Sequence, residues 1–126
     1  MGRVWASTAI FLSVVCFLIF NMNKITGISD SVIQALNECS NLVMTDNFTE
    51  AYERFSAAQD NFISNEKYLC ATLTHRELDE IIVEFGMAEA SLVMADKESL
   101  LPMIKSIERR LEHIKDMEEI SVKNIF

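Results

Sequence analysis

Proline occurs once and glycine three times in 126 residues, so the chain holds few helix breakers, and after residue 45 there is almost no β-branched alternation of the kind strands require. The three cysteines, Cys16, Cys39 and Cys70, form no Cys-x-x-Cys pair, and the two outside the apolar N-terminal run are too few for a disulfide framework. There is no glycine-rich phosphate loop and no serine elbow. The two histidines, His75 and His113, stand in no Glu-x-x-His arrangement, which leaves out the carboxylate-bridged di-iron bundle pattern. Basic residues are also scarce, and from Ile25 onward 19 carboxylates face only 9 of them, a net charge of −10. Such a domain is repelled by nucleic acid and by anionic head groups, so neither nucleic-acid binding nor polybasic lipid recognition is expected. No cofactor is implied, and an enzyme is not expected.

What the chain does have is a long apolar run. Val4 to Phe20 are 17 residues without a charge. As a helix they reach about 26 Å, close to the ~30 Å hydrocarbon core, with Arg3 and Lys24 placed to snorkel. A cleaved signal would need small residues at a cleavage site after the run, and N-M-N-K-I-T-G-I has none in the right places. Cys16 lacks the small residue before it that a lipoprotein signal needs. The expectation is an uncleaved transmembrane anchor over residues 1–24, followed by an acidic all-helical domain over residues 25–126. The N-terminus and Arg3 against Lys24 alone put the N-terminus in the cytoplasm and the domain outside the cell membrane. Since one charge separates the orientations, a cytoplasmic-facing adaptor is the alternative.

The fold class expected is all-α, with two helical hairpins over about 29–70 and 74–123 packed as a four-helix bundle or a short helical-repeat pair. Ser29 or Asp30 is the expected cap of a first segment whose apolar face is Val32, Ile33, Leu36, Cys39 and Val43. A second carries Phe48, Ala51, Tyr52, Phe55, Ala58 and Phe62, with Glu50 paired to Arg54. Thr74 and Glu77 make a capping box at the start of a third, which buries Leu78, Ile81, Ile82, Phe85, Ala88, Leu92 and Ala95. Gly86 in its middle suits either a close helix approach or a weak point. Asp96 or Ser99 caps the fourth, built on Leu101, Ile104, Ile107, Leu111, Ile114 and Met117 or Glu118. Pro102 costs little there if Ser99 is the cap. Leu42 to Asn47 (LVMTDN) and Leu92 to Lys97 (LVMADK) match at an offset of 50 residues, which points to two hairpins of one design. Cys39 and Cys70 lie too far apart along this hairpin to bridge and read as two buried thiols.

The polar cluster that stands out is His75, Glu77, Asp79, Glu80 and Glu84. His75 and Asp79, four apart, share a face and offer two ligands for a cation or small ligand, although the capping box and helix dipole already account for acid in a first turn. The tail ends on Ile125 and Phe126, either closing the end of the bundle or docking on a partner.

Three short motifs resemble a bacterial family known as domain of unknown function 4363. They are an Asp46-Asn47-Phe48-x-x-Ala51 turn, a His75-x-Glu77-Leu78-Asp79 stretch, and the ending His113-Ile114 … Glu118-x-Ile120-Ser121-x-x-Asn124-Ile125-Phe126. Phe48 departs from the tryptophan common at that position, and Tyr68 or Leu69 stands where another aromatic often precedes the histidine. The resemblance implies an N-terminal membrane segment, a helical architecture and a membrane-protein partner, but no activity. His75, Glu77, Asp79, Glu84, His113, Glu118, Ser121, Asn124 and Phe126 are therefore the candidate ligand or partner contacts. The function expected is an extracytoplasmic protein-interaction module working with another membrane or envelope protein, the alternative being a ligand- or cation-sensing domain at His75, Glu77 and Asp79. The oligomeric state is left open.

Overall fold

The computed structural model describes residues 1–70 and 73–125, the side chains of residues 121 and 125 excepted. Every regular element among them is helical. The helices are α1 (Gly2–Met44), α2 (Phe48–Ser64), α3 (Glu66–Cys70), α4 (His75–Val93) and α5 (Lys97–Ile125).

Helix α1 corrects the expected start at Ser29 or Asp30: it runs for 43 residues without a break, about 65 Å. Its two halves differ in what surrounds them. In the first, the apolar side chains stand free, Trp5, Ile10, Phe11, Phe17 and Phe20 all being exposed, and only 6% of the 18-residue apolar window is buried. This half is apolar and long enough to cross a membrane. The hydroxyls of Ser7, Thr8 and Ser13 donate to carbonyls four residues back, at 2.8–2.9 Å, so these three hydroxyls need no water. From Asn21 onward burial becomes one-sided. Ile25, Val32, Leu36, Cys39 and Val43 are wholly buried at three- and four-residue spacing. Ser29 is buried on that face rather than capping, and Asp30 bonds Lys115 of α5.

Helix α1 packs on α2 and on α5, α5 on α4, and α4 on α2, so each long helix has two long neighbours. Among them Phe85 sits against Phe55 edge-on at 5.7 Å and against Phe62 at 5.6 Å between ring centres, spacings at which aromatic pairs attract beyond their buried area. Several side chains expected inside are not. Tyr52 is turned out, its hydroxyl reaching Glu89 at 3.4 Å. Met117 is exposed, while Glu118 on the adjacent position is half-buried. Leu100 is wholly buried where Leu101 was expected. Arg54 pairs with Glu38 of α1 at 3.4 Å instead of Glu50, because a neighbouring helix brings a carboxylate to it.

The two tight turns share one geometry. After α1, the amide of Asp46 donates to the Val43 carbonyl at 3.1 Å and that of Asn47 to Leu42 at 2.9 Å. After α4, Ala95 donates to Leu92 at 3.0 Å and Asp96 to Ser91 at 2.9 Å. Each is a Schellman termination with its left-handed residue, Asp46 at φ 62° and Ala95 at φ 55°, in the place glycine usually takes. The next residue caps the following helix: Asn47 accepts from the Glu50 amide at 3.4 Å and Asp96 from the Ser99 amide at 3.3 Å. The turns therefore correspond at an offset of 49 residues, not the 50 of the LVM-x-D match, and Ala95 is an exposed turn residue rather than a buried helical one. Since Asp96 is the cap, Pro102 lies inside α5 and leaves the Glu98 carbonyl without its usual amide partner. Lys97 reaches Asp46 at 2.5 Å, which puts both turns at one end of the molecule, the end away from the free half of α1.

At the opposite end, Asn65 ends α2 and the short α3 brings Tyr68 back to α1. Its hydroxyl bonds Asn21 and its ring lies under the Lys24 ammonium, 4.0 Å from the centroid. The fold thus begins to close on α1 within one residue of the end of the apolar run. Cys16, Cys39 and Cys70 are free thiols. Cys39 is buried, and burial pushes its thiol up to about 11. Cys70 is only half-buried.

Candidate functional site: a groove between the last two long helices

The capping box expected at Thr74 is formed. The Glu77 amide donates to the Thr74 hydroxyl at 3.2 Å, and the Thr74 amide to the Glu77 carboxylate at 3.2 Å. This fixes the first turn of α4 and sets Glu80, Glu84 and the inner residue Ile81 facing α5. There, Arg110 donates from Nη1 to Glu80 at 2.7 Å and from Nε to Glu84 at 2.9 Å. Ser106 adds a bond to Glu84 at 3.1 Å and Arg76 one to Glu80 at 3.1 Å. The Arg76 and Arg110 guanidiniums hold the Glu80 carboxyl below its ordinary range, and Glu80 in turn raises Arg110. The second oxygen of Glu84 is buried without a partner.

Beside this network α4 and α5 enclose an open groove of about 730 Å³. Ile81, Pro102 and Ile114 give it apolar walls, and Lys105, Arg109 and His113 line its rim, with Glu77 also in the lining. Its lining carries both signs, Lys105, Arg109 and Arg110 with Glu77 and Glu80, and Lys105 is paired to Glu108 at 3.3 Å. The groove brings together two candidates from different motifs, Glu77 and His113.

The remaining candidates scatter. His75 and Asp79 are exposed on the outer side of α4. Among the described residues no group of three His, Cys, Asp or Glu side chains converges as a metal site, so the His75, Glu77 and Asp79 set is not drawn together around a cation. Glu84 belongs to the Arg110 clamp. Glu118 lies toward the Tyr68 end, where burial raises its carboxyl and its charge helps burial raise the Tyr68 phenol. Asn124 is exposed near the end of α5. The Ser121 side chain and Phe126 lie outside the described residues. Sequence reasoning passed over Lys105, Ser106, Arg109 and Arg110. The available signal was the Arg76, Glu80, Glu84 series at four-residue spacing on α4, which predicts a helix edge seeking a cation, although not which helix supplies it.

An apolar helix that runs on into a small helical domain, whose fourth helix opens with a capped H-x-E-L-D turn, defines a class, and the comparison with known families gives it a name. The chain belongs to the DUF4363 family, described as a domain of unknown function, whose profile matches residues 19–125. No curated protein and no solved structure matches the chain.

Proposed function

We propose that this protein is a single-pass, membrane-anchored four-helix bundle that faces outward and docks another membrane or envelope protein, and that it is not an enzyme. The observation that carries the reading is the continuity of α1. One unbroken helix joins a half with free apolar side chains to a half that forms the core. An anchor made this way holds the bundle at a set height and direction instead of on a loose tether. The Tyr68 contact to Asn21 and Lys24 closes the bundle at the level where the apolar run stops.

The docking element we favour is the groove between α4 and α5. Its apolar walls and the exposed Arg109 suit an amphipathic segment carrying a carboxylate, with Arg109 and His113 as the contacts. A photo-crosslinking residue at Arg109, in cells expressing the full chain, should capture a discrete membrane or envelope protein, while one at the exposed Glu53 of α2 should not. Equal capture at both sites, or none at Arg109, would sink the reading.

One observation favours a second reading, a small anionic ligand in the same groove: Arg109 and His113, four residues apart on α5, both line it. The full chain in detergent would then melt higher with a panel of small carboxylates or phosphates, by the amount that binding to the folded state alone imposes. An unmoved melt across the panel would remove this second reading.

A further inference from the structure

The apolar run of α1 is shorter than the layer it has to cross. Val4 to Phe20 reach about 26 Å against a hydrocarbon core of ~30 Å, so about 4 Å of that core, the depth of roughly three residues, falls beyond Phe20. Those residues are Asn21, Met22 and Asn23. Asn21 is buried, and its side-chain oxygen accepts from the Tyr68 hydroxyl. The first polar side chain past the run is thus covered by protein, as lipid requires. Helix α5 comes down to the same level. It starts beside Asp46 at the far end and pairs Lys115 with Asp30, so it runs antiparallel to α1. Counted from the Lys115–Asp30 pair, its end at Ile125 stands level with Phe20. Ile120 and Met117, 55% and 48% exposed, lie on the free side of α5 just above, at the depth of Ile25 and Ile28. The charges follow the same axis. Glu118 and Glu119 come first, and Lys123 is the one charge of the last turn. Lys24 over the Tyr68 ring and the exposed Lys67 join it at this end. An aromatic hydroxyl, exposed aliphatic side chains and long ammonium arms are what the boundary between lipid and water selects.

We infer that the near end of the bundle, Tyr68 of α3 with the last two turns of α5, is seated in the head-group layer of the membrane that α1 crosses, completing a span that α1 alone leaves short. The inference rests on the anchoring proposed above. The partner is the bilayer itself, and zwitterionic phospholipid suffices. Ile120 enters by burying apolar surface, and Lys24, Lys67 and Lys123 reach phosphates that every phospholipid carries. A second contact with lipid beside α1 fixes the rotation of the bundle about α1 as well as its height.

The test is tryptophan fluorescence of the purified full chain in phosphatidylcholine vesicles, with and without bromine on the acyl chains. Ile120 and Val93 are both exposed, so a tryptophan at either leaves the core intact. In a Trp5→Phe background, Ile120→Trp should emit at shorter wavelength than Val93→Trp at the far end and lose most of its emission to brominated lipid, while Val93→Trp should lose none. Solvent-like emission from both, untouched by bromine, would overturn the inference. So would a short-wavelength Ile120→Trp that bromine does not quench, since protein, a second copy included, would then cover the site. The native chain, with Trp5 its only tryptophan, reports on the anchor separately. Quenched Trp5 with unquenched Ile120→Trp keeps the anchor and refutes the lipid seat. Quenched Ile120→Trp with unquenched Trp5 keeps the seat and refutes the span, and quenching of neither refutes both.

Discussion

Replacing Ala95 with glycine should stabilise the protein. Ala95 sits at φ 55° in the turn between α4 and α5, a backbone conformation that costs an L-residue about 1–2 kcal/mol. Its side chain is exposed, so the methyl contributes little packing. Glycine removes the strain, but returns about 0.4–1 kcal/mol through the greater freedom of the unfolded chain. The net gain is about 0.5–1 kcal/mol, or a rise of roughly 2–4 °C in Tm for a chain of this size. Asp46, the equivalent residue in the first turn at φ 62°, behaves differently. Aspartate tolerates the left-handed region better than alanine, and Asp46→Gly also gives up the ion pair to Lys97, worth up to about 1 kcal/mol at this exposure. The two glycine variants should therefore separate, with Ala95→Gly raising the midpoint and Asp46→Gly leaving it level or lower. Circular dichroism melts of the full chain in detergent measure both. A lowered Tm for Ala95→Gly, or a larger gain for Asp46→Gly, would refute the assignment of strain to these turns.

Phe85→Ala should cost about 3–5 kcal/mol in a denaturant titration, because its ring is wholly buried against both Phe55 and Phe62; an effect below ~1 kcal/mol would mean these rings are not the centre of the core. Thr74→Ala should lower stability by about 0.5–2 kcal/mol, whereas Thr74→Ser should recover most of it by restoring the hydroxyl that accepts from Glu77. Two carboxyls give opposite pH dependences. Glu80 is held below its ordinary 4.5, so its stabilising contribution is whole above that value and disappears as pH falls through the lowered one. Glu118 is raised above 4.5 by burial, so its protonated form favours the fold, and that support is lost as pH rises through the raised value. Glu118→Gln should accordingly stabilise the protein at pH 7 and leave it unchanged at pH 3, as followed by melts across that range.

Much of this architecture was legible because it rests on local chemistry. The Thr74–Glu77 capping box, the interior faces of α2 and α4 through Phe55, Phe62 and Phe85, and the turn near Asp46 all follow from residues a few positions apart. The differences arise where a distant helix decides. Ser29 and Asp30 have the chemistry of a helix cap, but Ser29 is claimed by the core and Asp30 by Lys115, 85 residues away, so α1 runs on. Arg54 prefers Glu38 for the same reason. The LVM-x-D repeat identified both turns but not their register, because the left-handed residue is the aspartate in one and the alanine before it in the other. The groove was the least legible feature, since Lys105, Arg109 and Arg110 read as ordinary surface charge until α5 lies against α4.

The central claim is that α1 crosses the membrane and carries the helical domain outside the cell. Its most direct test is labelling with a membrane-impermeant maleimide in intact cells, using single cysteines at Ser64 and Lys123 in a chain lacking Cys16, Cys39 and Cys70. Labelling at both positions before lysis is the predicted result. Protection in intact cells with labelling only after lysis would put the domain in the cytoplasm and contradict the proposal.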